Sequence, residues 1–228
     1  DQGLLEEAEI VVGTKEKKRL PEFIDQYLAT GEKIRVKGDL QEAVFDVMET
    51  NSFENKSRAY LKIQDGCNQF CSYCVIPYAR GRERSMAPDE VISSMKVLAE
   101  QYPEVVLTGI HTGRYGREFK VSLTDIMKRI LKEVPHLYRL RISSIEVTEL
   151  DDDFIAFMKE EPRIARHLHI PLQSGCDSVL QRMHRPYTTQ EYYEKIEKIR
   201  EEIPDVSISC DLIVGFPQET EKEFEETY

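Results

Sequence analysis

The chain has 228 residues, of which 40% are hydrophobic and 32% charged, a balance that supports a folded core and argues against intrinsic disorder. No apolar run approaches the roughly 18–20 residues that cross a bilayer, and no secretory signal pattern is present, so we expect neither a transmembrane nor a secreted protein. The formal net charge is -11, so binding of nucleic acid would require a local basic patch on this chain or a basic module elsewhere in the protein.

Five cysteines are present, and three of them, Cys67, Cys71 and Cys74, lie within eight residues. An odd number with this clustering does not suit a disulfide framework, which is typical of short secreted chains with even counts. The pattern therefore predicts a metal site in a protein of a reducing compartment, which we take to be the cytoplasm.

The amino-terminal residues 1–50 predict the tail of a small α/β domain. A strand is predicted over residues 9–13 and a helix over residues 17–29, followed by a polar return. Residues 51–57 are polar, lack periodicity and predict a linker. Because the sequence opens and stops within acidic, helix-like stretches without capping signals, we expect it to be part of a longer protein.

Residues 58–228 show a regular alternation of strand and helix patterns, which is typical of a parallel sheet, either a barrel or a doubly wound sheet. Polar or glycine-containing segments follow every strand, as in barrel enzymes that build their sites at the carboxyl ends of strands. We therefore predict an α/β fold with a partial (βα) barrel whose strands are too few to close it. The predicted strands are residues 59–63, 104–108, 138–143, 167–170 and 206–214, and the predicted helices are residues 88–101, 122–134, 150–160 and 188–202.

The cysteine loop reads GCNQFCSYCVIPYARG, with the spacing Cys-x3-Cys-x2-Cys. Soft thiolates favour zinc, copper(I) or an iron–sulfur cluster. Structural zinc takes four ligands. Cys176 and Cys210 are single and distant in sequence, so no fourth ligand is evident. Three thiolates suit a four-iron cluster that leaves one iron open, whereas structural zinc and redox-active cysteines remain alternatives.

With Tyr73 just before the third cysteine, this loop resembles that of the radical S-adenosylmethionine (SAM) superfamily. The resemblance implies a TIM-like barrel in which Cys67, Cys71 and Cys74 hold a [4Fe–4S] cluster. It also implies that the open iron chelates SAM, and that one electron splits SAM into methionine and a 5′-deoxyadenosyl radical.

Six segments narrow the resemblance to the methylthiotransferases: GCNQFCSYCVIPYARGRERS, VVLTGIHTGRYG, RISSIEV, HIPLQSG, LQRMHRPYT and DLIVGFPQET. They extend over about residues 62–220, and the chain is most similar to the threonylcarbamoyladenosine tRNA methylthiotransferases. Such enzymes add a methylthio group at C2 of N6-threonylcarbamoyladenosine beside the anticodon. Alternatives are methylthiotransferases for isopentenyladenosine tRNA or ribosomal protein S12, and a non-enzymatic zinc-binding interaction module.

The resemblance also implies partners and further parts. These are tRNA, SAM, an electron donor such as flavodoxin or ferredoxin, a second [4Fe–4S] cluster in an amino-terminal domain and a small β-rich RNA-binding domain. No cysteine precedes Cys67. We therefore expect that this segment alone does not complete methylthio transfer.

The resemblance assigns no catalytic side chain but several contacts to SAM. Each has a plainer alternative, such as a turn, a loop carboxylate, a helix cap made by Ser174, a surface arginine or a core strand. The predicted SAM-binding residues are Tyr73, Gly109, Ile110, Glu146, Gln173, Arg185 and Val214.

Three arginines that follow the third cysteine, Arg80, Arg82 and Arg84, predict a basic patch that guides RNA, with Tyr78 beside it. The alternative is a solvated loop. His167 and His169 share a strand face, but a metal pair is disfavoured because no carboxylate neighbours them in sequence. No role is assigned to His111 or His184, and Cys176 and Cys210 are expected to be buried or incidental thiols.

Overall fold

The computed structural model describes residues 6–36, 38, 44–47, 53 and 56–228. Its first unit is a strand, helix and strand: β1 (Ile10–Val12), α1 (Leu20–Thr30) and β2 (Ile34–Val36). The two strands pair in parallel, and a 3-10 helix over Thr14–Arg19 leads into α1. This confirms the predicted strand and helix, and it adds a second strand where the sequence suggested only a polar return.

The predicted linker lies mostly outside the described residues. Phe53 is described, and its ring packs edge-on against Tyr60 and Tyr102 at centroid distances of 5.9 Å. The backbone N–H of Phe53 donates to the Tyr102 hydroxyl at 2.7 Å. This residue is therefore attached to the larger unit that follows.

That larger unit alternates strands and helices along the chain. Its strands are β3 (Arg58–Lys62), β4 (Gln64–Asp65), β5 (Arg84–Ser85), β6 (Glu104–Thr108), β7 (Arg139–Ile142), β8 (His167–His169) and β9 (Ser207–Ser209). Its helices are α2 (Ile76–Arg80), α3 (Pro88–Ala99), α4 (Leu123–Glu133), α5 (Asp152–Glu160), α6 (Asp177–Arg182), α7 (Thr189–Glu202) and α8 (Glu221–Thr227). Within the described residues, no helix has both the length and the hydropathy needed to cross a membrane.

All five strands of the barrel run in parallel. β3, β6 and β7 form one sheet in that order, and β8 pairs with β9. The two sheets are joined by a parallel bridge between Leu140 and Ile164 and by the hydrogen bond from Ile145 N to His169 O at 3.1 Å. The strands thus follow one another in chain order, as the partial (βα) barrel prediction requires.

The predicted fifth strand was too long. β9 ends at Ser209, and pairing resumes only at an isolated bridge between Gln173 and Leu212. Gln173 has a φ of 71°, outside the extended region, and it still bonds this segment: its N–H donates to Asp211 O at 2.9 Å, and its carbonyl oxygen accepts from Ile213 N at 2.8 Å. Leu212 and Val214 are exposed, which corrects the interpretation of this segment as an apolar core strand.

The core lies between the sheet and the helices on its outer face. Val105 and Leu107 of β6 and Leu140 of β7 are fully buried, and so are Ile126 and Ile130 of α4. The apolar positions of α4 recur every three or four residues, which places one helix face against the sheet. Burial of this apolar area, at roughly 25 cal/mol per Å², is what holds the strand ends in place.

Two helix starts predicted from the sequence are confirmed, and one was missed. Ser122 accepts from Asp125 N at 3.0 Å to cap α4, and Thr188 accepts from Glu191 N at 3.2 Å to cap α7. Thr220 caps α8 in the same way, accepting from Glu223 N at 3.3 Å. The expectation that the last acidic stretch lacks a capping signal was therefore wrong.

Candidate functional site

The cysteine loop is closed at its base by a short antiparallel hairpin. β4 pairs with β5, so that Gln64 lies opposite Ser85 and Asp65 opposite Arg84. Residues 66–83 form the loop between them, directly beyond the carboxyl end of β3. The hairpin therefore holds all three clustered cysteines at the edge of the sheet where barrel enzymes place their chemistry.

A buried carboxylate anchors this hairpin. Asp65 is fully buried and accepts hydrogen bonds from Arg80 at 2.7 and 3.0 Å and from Arg84 at 2.9 Å. Lys62 adds a contact at 3.2 Å. Burial alone would raise the pKa of Asp65, but Arg84, Lys62 and Arg80 together hold it below its ordinary value.

This anchoring changes the interpretation of the predicted basic patch. Arg84 is buried and Arg80 is half-buried, and both are committed to Asp65. Of the three arginines, Arg82 is the exposed one. The prediction that all three face RNA is therefore wrong for Arg84, and the predicted RNA contact now rests on Arg82 with exposed Tyr78 nearby.

The first residue of the loop must be glycine. Gly66 has a φ of 72°, and a Cβ there would lie 2.0 Å from the carbonyl oxygen of Arg82. The next residue, Cys67, donates its backbone N–H to Gly81 O at 3.1 Å. The two sides of the loop thus approach too closely for any side chain at position 66.

The three cysteines lie in one loop but in different surroundings. Cys71 is buried, whereas Cys67 and Cys74 are half-buried. Cys67 Sγ accepts from the backbone N–H of Gln69 at 3.3 Å, and Cys74 N donates to Cys71 O at 3.0 Å. The backbone therefore turns tightly between the cysteines.

Within the described residues, no three or more His, Cys, Asp or Glu side chains are arranged to hold a single metal ion. Cys176 contacts Ser178 and Glu226, and Cys210 is exposed rather than buried; neither forms a ligand group with the clustered cysteines within the described residues. An iron–sulfur cluster presents a separate iron to each thiolate, so its ligands need not converge on one point. The donor set of this loop fits such a cluster.

Arg185 and Glu146, which the sequence suggested as separate SAM contacts, bind each other. The Arg185 side chain is 3% exposed, forms an ion pair with Glu146, and donates to Cys71 Sγ at 3.2 Å and to Tyr187 Oη at 3.2 Å. Burial raises the pKa of the Cys71 thiol, and Arg185 opposes that effect. The pair thus lies directly against a predicted cluster ligand.

Gly109 and Ile110 follow the end of β6. A Cβ at Gly109 would lie 2.9 Å from Gln64 Cβ, so packing against the hairpin already explains the glycine. Ile110 is partly exposed and lines a cleft that continues past Ile145 and Glu146 to Pro171. The ends of β6, β7 and β8 therefore share one cleft.

A second, wider cleft lies beside the cysteine loop. Tyr73 lines it together with His184, Gly215 and Phe216, and the rings of Tyr73 and Phe216 meet edge-on at 6.5 Å. Val214 precedes this wall of the cleft and is 62% exposed. Tyr73 and Val214 are therefore accessible, as contacts with a ligand require.

The polar residues after β8 divide into accessible and inaccessible ones. Gln173 is half-buried. Ser174 is fully buried, accepts from Cys176 N at 3.2 Å and contacts Thr227 Oγ1 at 3.1 Å. Because Cys176 occupies the start of α6 without a side-chain cap, the interpretation of Ser174 as the cap of that helix was wrong.

The two histidines of β8 are engaged without metal. His169 bonds Ser209 at 3.0 Å and Asp211 at 3.2 Å, and His167 lies 3.4 Å from the Ser209 hydroxyl. The carboxylate that the sequence did not place beside them comes from the segment after β9. No metal group includes these residues within the part of the chain that the structure describes.

His111, to which the sequence gave no role, is buried against the first cysteine. Its Nδ1 lies 3.4 Å from Cys67 Sγ, and its Nε2 lies 2.7 Å from Glu149 Oε1. Burial alone would lower the pKa of His111, but Cys67 and Glu149 raise it to about 9. The only sequence signal was its position just past the end of a barrel strand.

Comparison with known proteins identifies the fold and its chemistry together. The model of the radical SAM superfamily matches residues 61–228, which include the cysteine loop and every barrel strand except the start of β3. The chain belongs to the radical SAM superfamily. Membership implies SAM and an iron–sulfur cluster as cofactors, consistent with the donor set described above.

The curated relatives include tRNA methylthiotransferases. The chain is 41% identical to threonylcarbamoyladenosine tRNA methylthiotransferase MtaB of Bacillus subtilis, over 96% of this chain and 49% of that protein. Against the Aquifex aeolicus protein of that name, identity is 38% over 98% of this chain and 55% of the relative. A tRNA-2-methylthio-N(6)-dimethylallyladenosine synthase of Finegoldia magna is 36% identical over 97% of this chain and 48% of that protein. The chain thus spans about half the length of these relatives.

Solved structures share the fold at low sequence identity. The cobalamin-dependent S-adenosylmethionine radical enzyme OxsB matches with a TM-score of 0.58 and 9% identity, over 74% of this chain and 25% of that one. Streptococcus suis SuiB matches with a TM-score of 0.53 and 10% identity, over 92% of this chain and 47% of that one. These matches confirm the predicted fold class.

Proposed function

We propose that this chain is the radical SAM core of a tRNA methylthiotransferase that modifies C2 of N6-threonylcarbamoyladenosine beside the anticodon. The observation that carries the proposal is the three-cysteine loop, held at the carboxyl edge of the parallel strands by the hairpin of β4 and β5. The similarity to relatives with that name supports the choice of substrate. The working enzyme is placed in the cytoplasm.

Cys67, Cys71 and Cys74 would hold a [4Fe–4S] cluster, which when bound supplies the electron that splits SAM into methionine and a 5′-deoxyadenosyl radical. The contribution of the chain is to keep the three thiolates in one loop at a fixed position. The ion pair between Asp65 and Arg84 holds the base of the loop, and the hydrogen bond from Arg185 to the Cys71 sulfur holds that cysteine in place.

We assign SAM to the carboxyl ends of the strands beside the cysteine loop, where a narrow crevice follows β6, β7 and β8 and a wider cleft lies beside Tyr73. Glu146 can accept from an ammonium or ribose hydroxyl, while Arg185 holds that carboxylate in place and compensates its charge. Ile110 provides an apolar wall in the same cleft. Tyr73 and Val214 are exposed and Gln173 is half-buried, so all three are accessible to the rest of the ligand.

Substrate RNA and the remaining partners are assigned on similarity and surface chemistry. Exposed Arg82 offers a phosphate contact, and exposed Tyr78, whose ring meets Phe70 edge-on at 5.6 Å, offers a face on which an unstacked base can lie. A flavodoxin or ferredoxin would deliver the electron. A second [4Fe–4S] cluster would belong to an amino-terminal part of the whole enzyme.

SAM cleavage tests the radical assignment. After anaerobic reconstitution and chemical reduction, we expect the chain to convert SAM into equal amounts of methionine and 5′-deoxyadenosine. Cys74→Ala should abolish this conversion, while Cys210→Ala, at an exposed cysteine outside the loop, should leave it unchanged. A chain that binds zinc and never cleaves SAM would favour the interaction-module alternative instead.

A chimaera tests the choice of RNA. This chain would replace the matching 223 residues of the Bacillus subtilis relative, and nucleosides from the modified tRNA would be analysed by mass spectrometry. We expect the 2-methylthio form of N6-threonylcarbamoyladenosine. Methylthiolation of isopentenyladenosine, or of ribosomal protein S12, would overturn the assignment of the substrate while leaving the radical chemistry intact.

A further inference from the structure

Positive charge is concentrated beside the cysteine loop, although the chain as a whole carries a net charge of -11. Lys17 and Lys18 belong to the 3-10 helix of the amino-terminal unit, and both bind Asp46. Their ammonium nitrogens lie 3.0 and 2.5 Å from its two carboxylate oxygens. Two positive charges therefore share one negative charge at this place.

A second surplus of positive charge lies at the base of the loop. The carboxylate of Asp65 is contacted by three cations, which are Arg80 at 2.7 Å, Arg84 at 2.9 Å and Lys62 at 3.2 Å. Burial and the nearby charges of Lys17 and Arg80 hold the pKa of Lys62 below its ordinary value, while Asp65 opposes this effect. Lys62 is thus close to both groups, in which five cations share two carboxylates among the described residues.

Both groups lie next to the segment that follows the third cysteine. Thr14 Oγ1 donates to the backbone oxygen of Ala79 at 3.2 Å, so the start of the 3-10 helix contacts α2 directly. Exposed Tyr78 precedes Ala79, and exposed Arg82 follows α2. The lysines are therefore neighbours of the two side chains to which the proposed function assigns the contact with RNA.

We propose that Lys17, Lys18 and Lys62 form, with the exposed arginine and tyrosine beside the loop, one surface that binds the phosphate backbone of tRNA. The inference rests on the proposed function, because it takes tRNA as the partner. Cations that outnumber their carboxylates repel one another in the free chain, and a polyanion relieves this repulsion and releases its own counterions on binding. The exposed ring of Tyr78 favours RNA over an acidic protein, because it offers a face on which a base can stack.

The test is binding of tRNA to the chimaera with the Bacillus subtilis relative, measured at several salt concentrations. Lys18→Ala removes an ammonium group whose side chain is 57% exposed. We expect about fivefold weaker binding at low salt, with a salt dependence smaller by about one phosphate contact. Asp46→Asn removes the carboxylate that neutralises the two lysines, and it should strengthen binding by a similar factor. Lys132→Ala, at an exposed lysine near the end of α4, should leave binding unchanged.

The two variants disrupt the same ion pair, so a purely structural role would weaken binding in both. Unchanged binding in Lys18→Ala, or weaker binding in Lys18→Ala and Asp46→Asn alike, would overturn the inference and leave the proposed function intact. Normal tRNA binding with slower reduction by flavodoxin in Lys18→Ala would also overturn it, since the surface would then serve the electron donor. If the wild-type chimaera binds tRNA through this surface but methylthiolates a different nucleoside, the proposed substrate is overturned and the surface is confirmed.

Discussion

Gly66 is the residue at which the loop geometry is least tolerant of change. Its φ is positive, and a Cβ would lie 2.0 Å from Arg82 O, a backbone atom that cannot move aside without opening the hairpin. Gly31 provides a matched comparison, because its φ is also positive but a Cβ there would meet no atom within 4 Å. Comparing alanine substitutions at the two glycines therefore separates the free-energy cost of the left-handed backbone conformation from the cost of the steric clash.

We expect Gly31→Ala to cost about 1–2 kcal/mol in the free energy of unfolding, the penalty for an L-residue in the left-handed region. Gly66→Ala should cost more and should also reduce the iron bound after reconstitution, because the cysteine loop can no longer close. Urea denaturation and iron analysis measure the two effects. Equal costs for the two substitutions would contradict the close approach at Gly66.

Arg82 and Arg84 are two positions apart and are assigned opposite roles. Arg84→Ala removes a charge-assisted hydrogen bond from buried Asp65, so we expect a loss of about 1.5–3 kcal/mol in stability. Arg82→Ala should change stability by less than about 0.5 kcal/mol, since its side chain is exposed. In the chimaera, Arg82→Ala should weaken tRNA binding, and the slope of the logarithm of the binding constant against the logarithm of the salt concentration should fall by about one, as expected for the loss of one phosphate contact.

Denaturation of both variants and tRNA binding at several salt concentrations would check these assignments. A stability loss in Arg82→Ala as large as that in Arg84→Ala would remove the distinction between anchor and RNA contact.

At the scale of elements, the amino ends of three barrel strands are joined through one carboxylate. Glu104 of β6 accepts from Arg141 of β7 at 2.6 Å and from Arg58 of β3 at 3.4 Å, and Arg139 lies 3.6 Å away. Burial alone would raise the pKa of Glu104, but the arginines, Arg141 first, lower it below its ordinary value. The edge opposite the cysteine loop is thus secured by charge.

This arrangement predicts a pH dependence of stability. Because the pKa of Glu104 is lower in the folded than in the unfolded chain, its contribution is complete above the unfolded value of about 4.3 and disappears as the pH falls through the folded value. Glu104→Gln should therefore be less stable than the wild type by about 1.5–3 kcal/mol at pH 7. Urea denaturation between pH 7 and pH 3 should show the difference shrinking, and a difference independent of pH would contradict the ion-pair account.

The elements were predictable to the extent that their signals are local. Capping boxes at Ser122 and Thr188 and the alternation of strands and helices lie in short windows of sequence, and the structure confirms them. The early end of β9 was not predictable, because it depends on pairing with the segment after β8, where regular pairing gives way to an isolated bridge between Gln173 and Leu212. Likewise, the second strand of the amino-terminal unit, β2, is recognised only by its partner β1.

At the scale of the whole molecule, the sequence predicted the barrel and the cysteine loop but not the groups that surround the cysteines. The loop is identified by its spacing alone. Its supports come from elsewhere: Asp65 binds Arg80 and Arg84 only once the hairpin has formed, and His111 meets Cys67 only because β3 and β6 are adjacent. Contacts of this kind depend on strand register, which a single sequence does not specify.

The central claim is that the three cysteines of this loop hold a four-iron cluster with one iron open to SAM. The measurement that tests it most directly is EPR of the reduced, anaerobically reconstituted chain with and without SAM. The account predicts a four-iron signal that shifts when SAM is added and is lost in Cys71→Ala. A chain that binds about one zinc and shows no cluster signal, or a cluster whose signal does not respond to SAM, would contradict it.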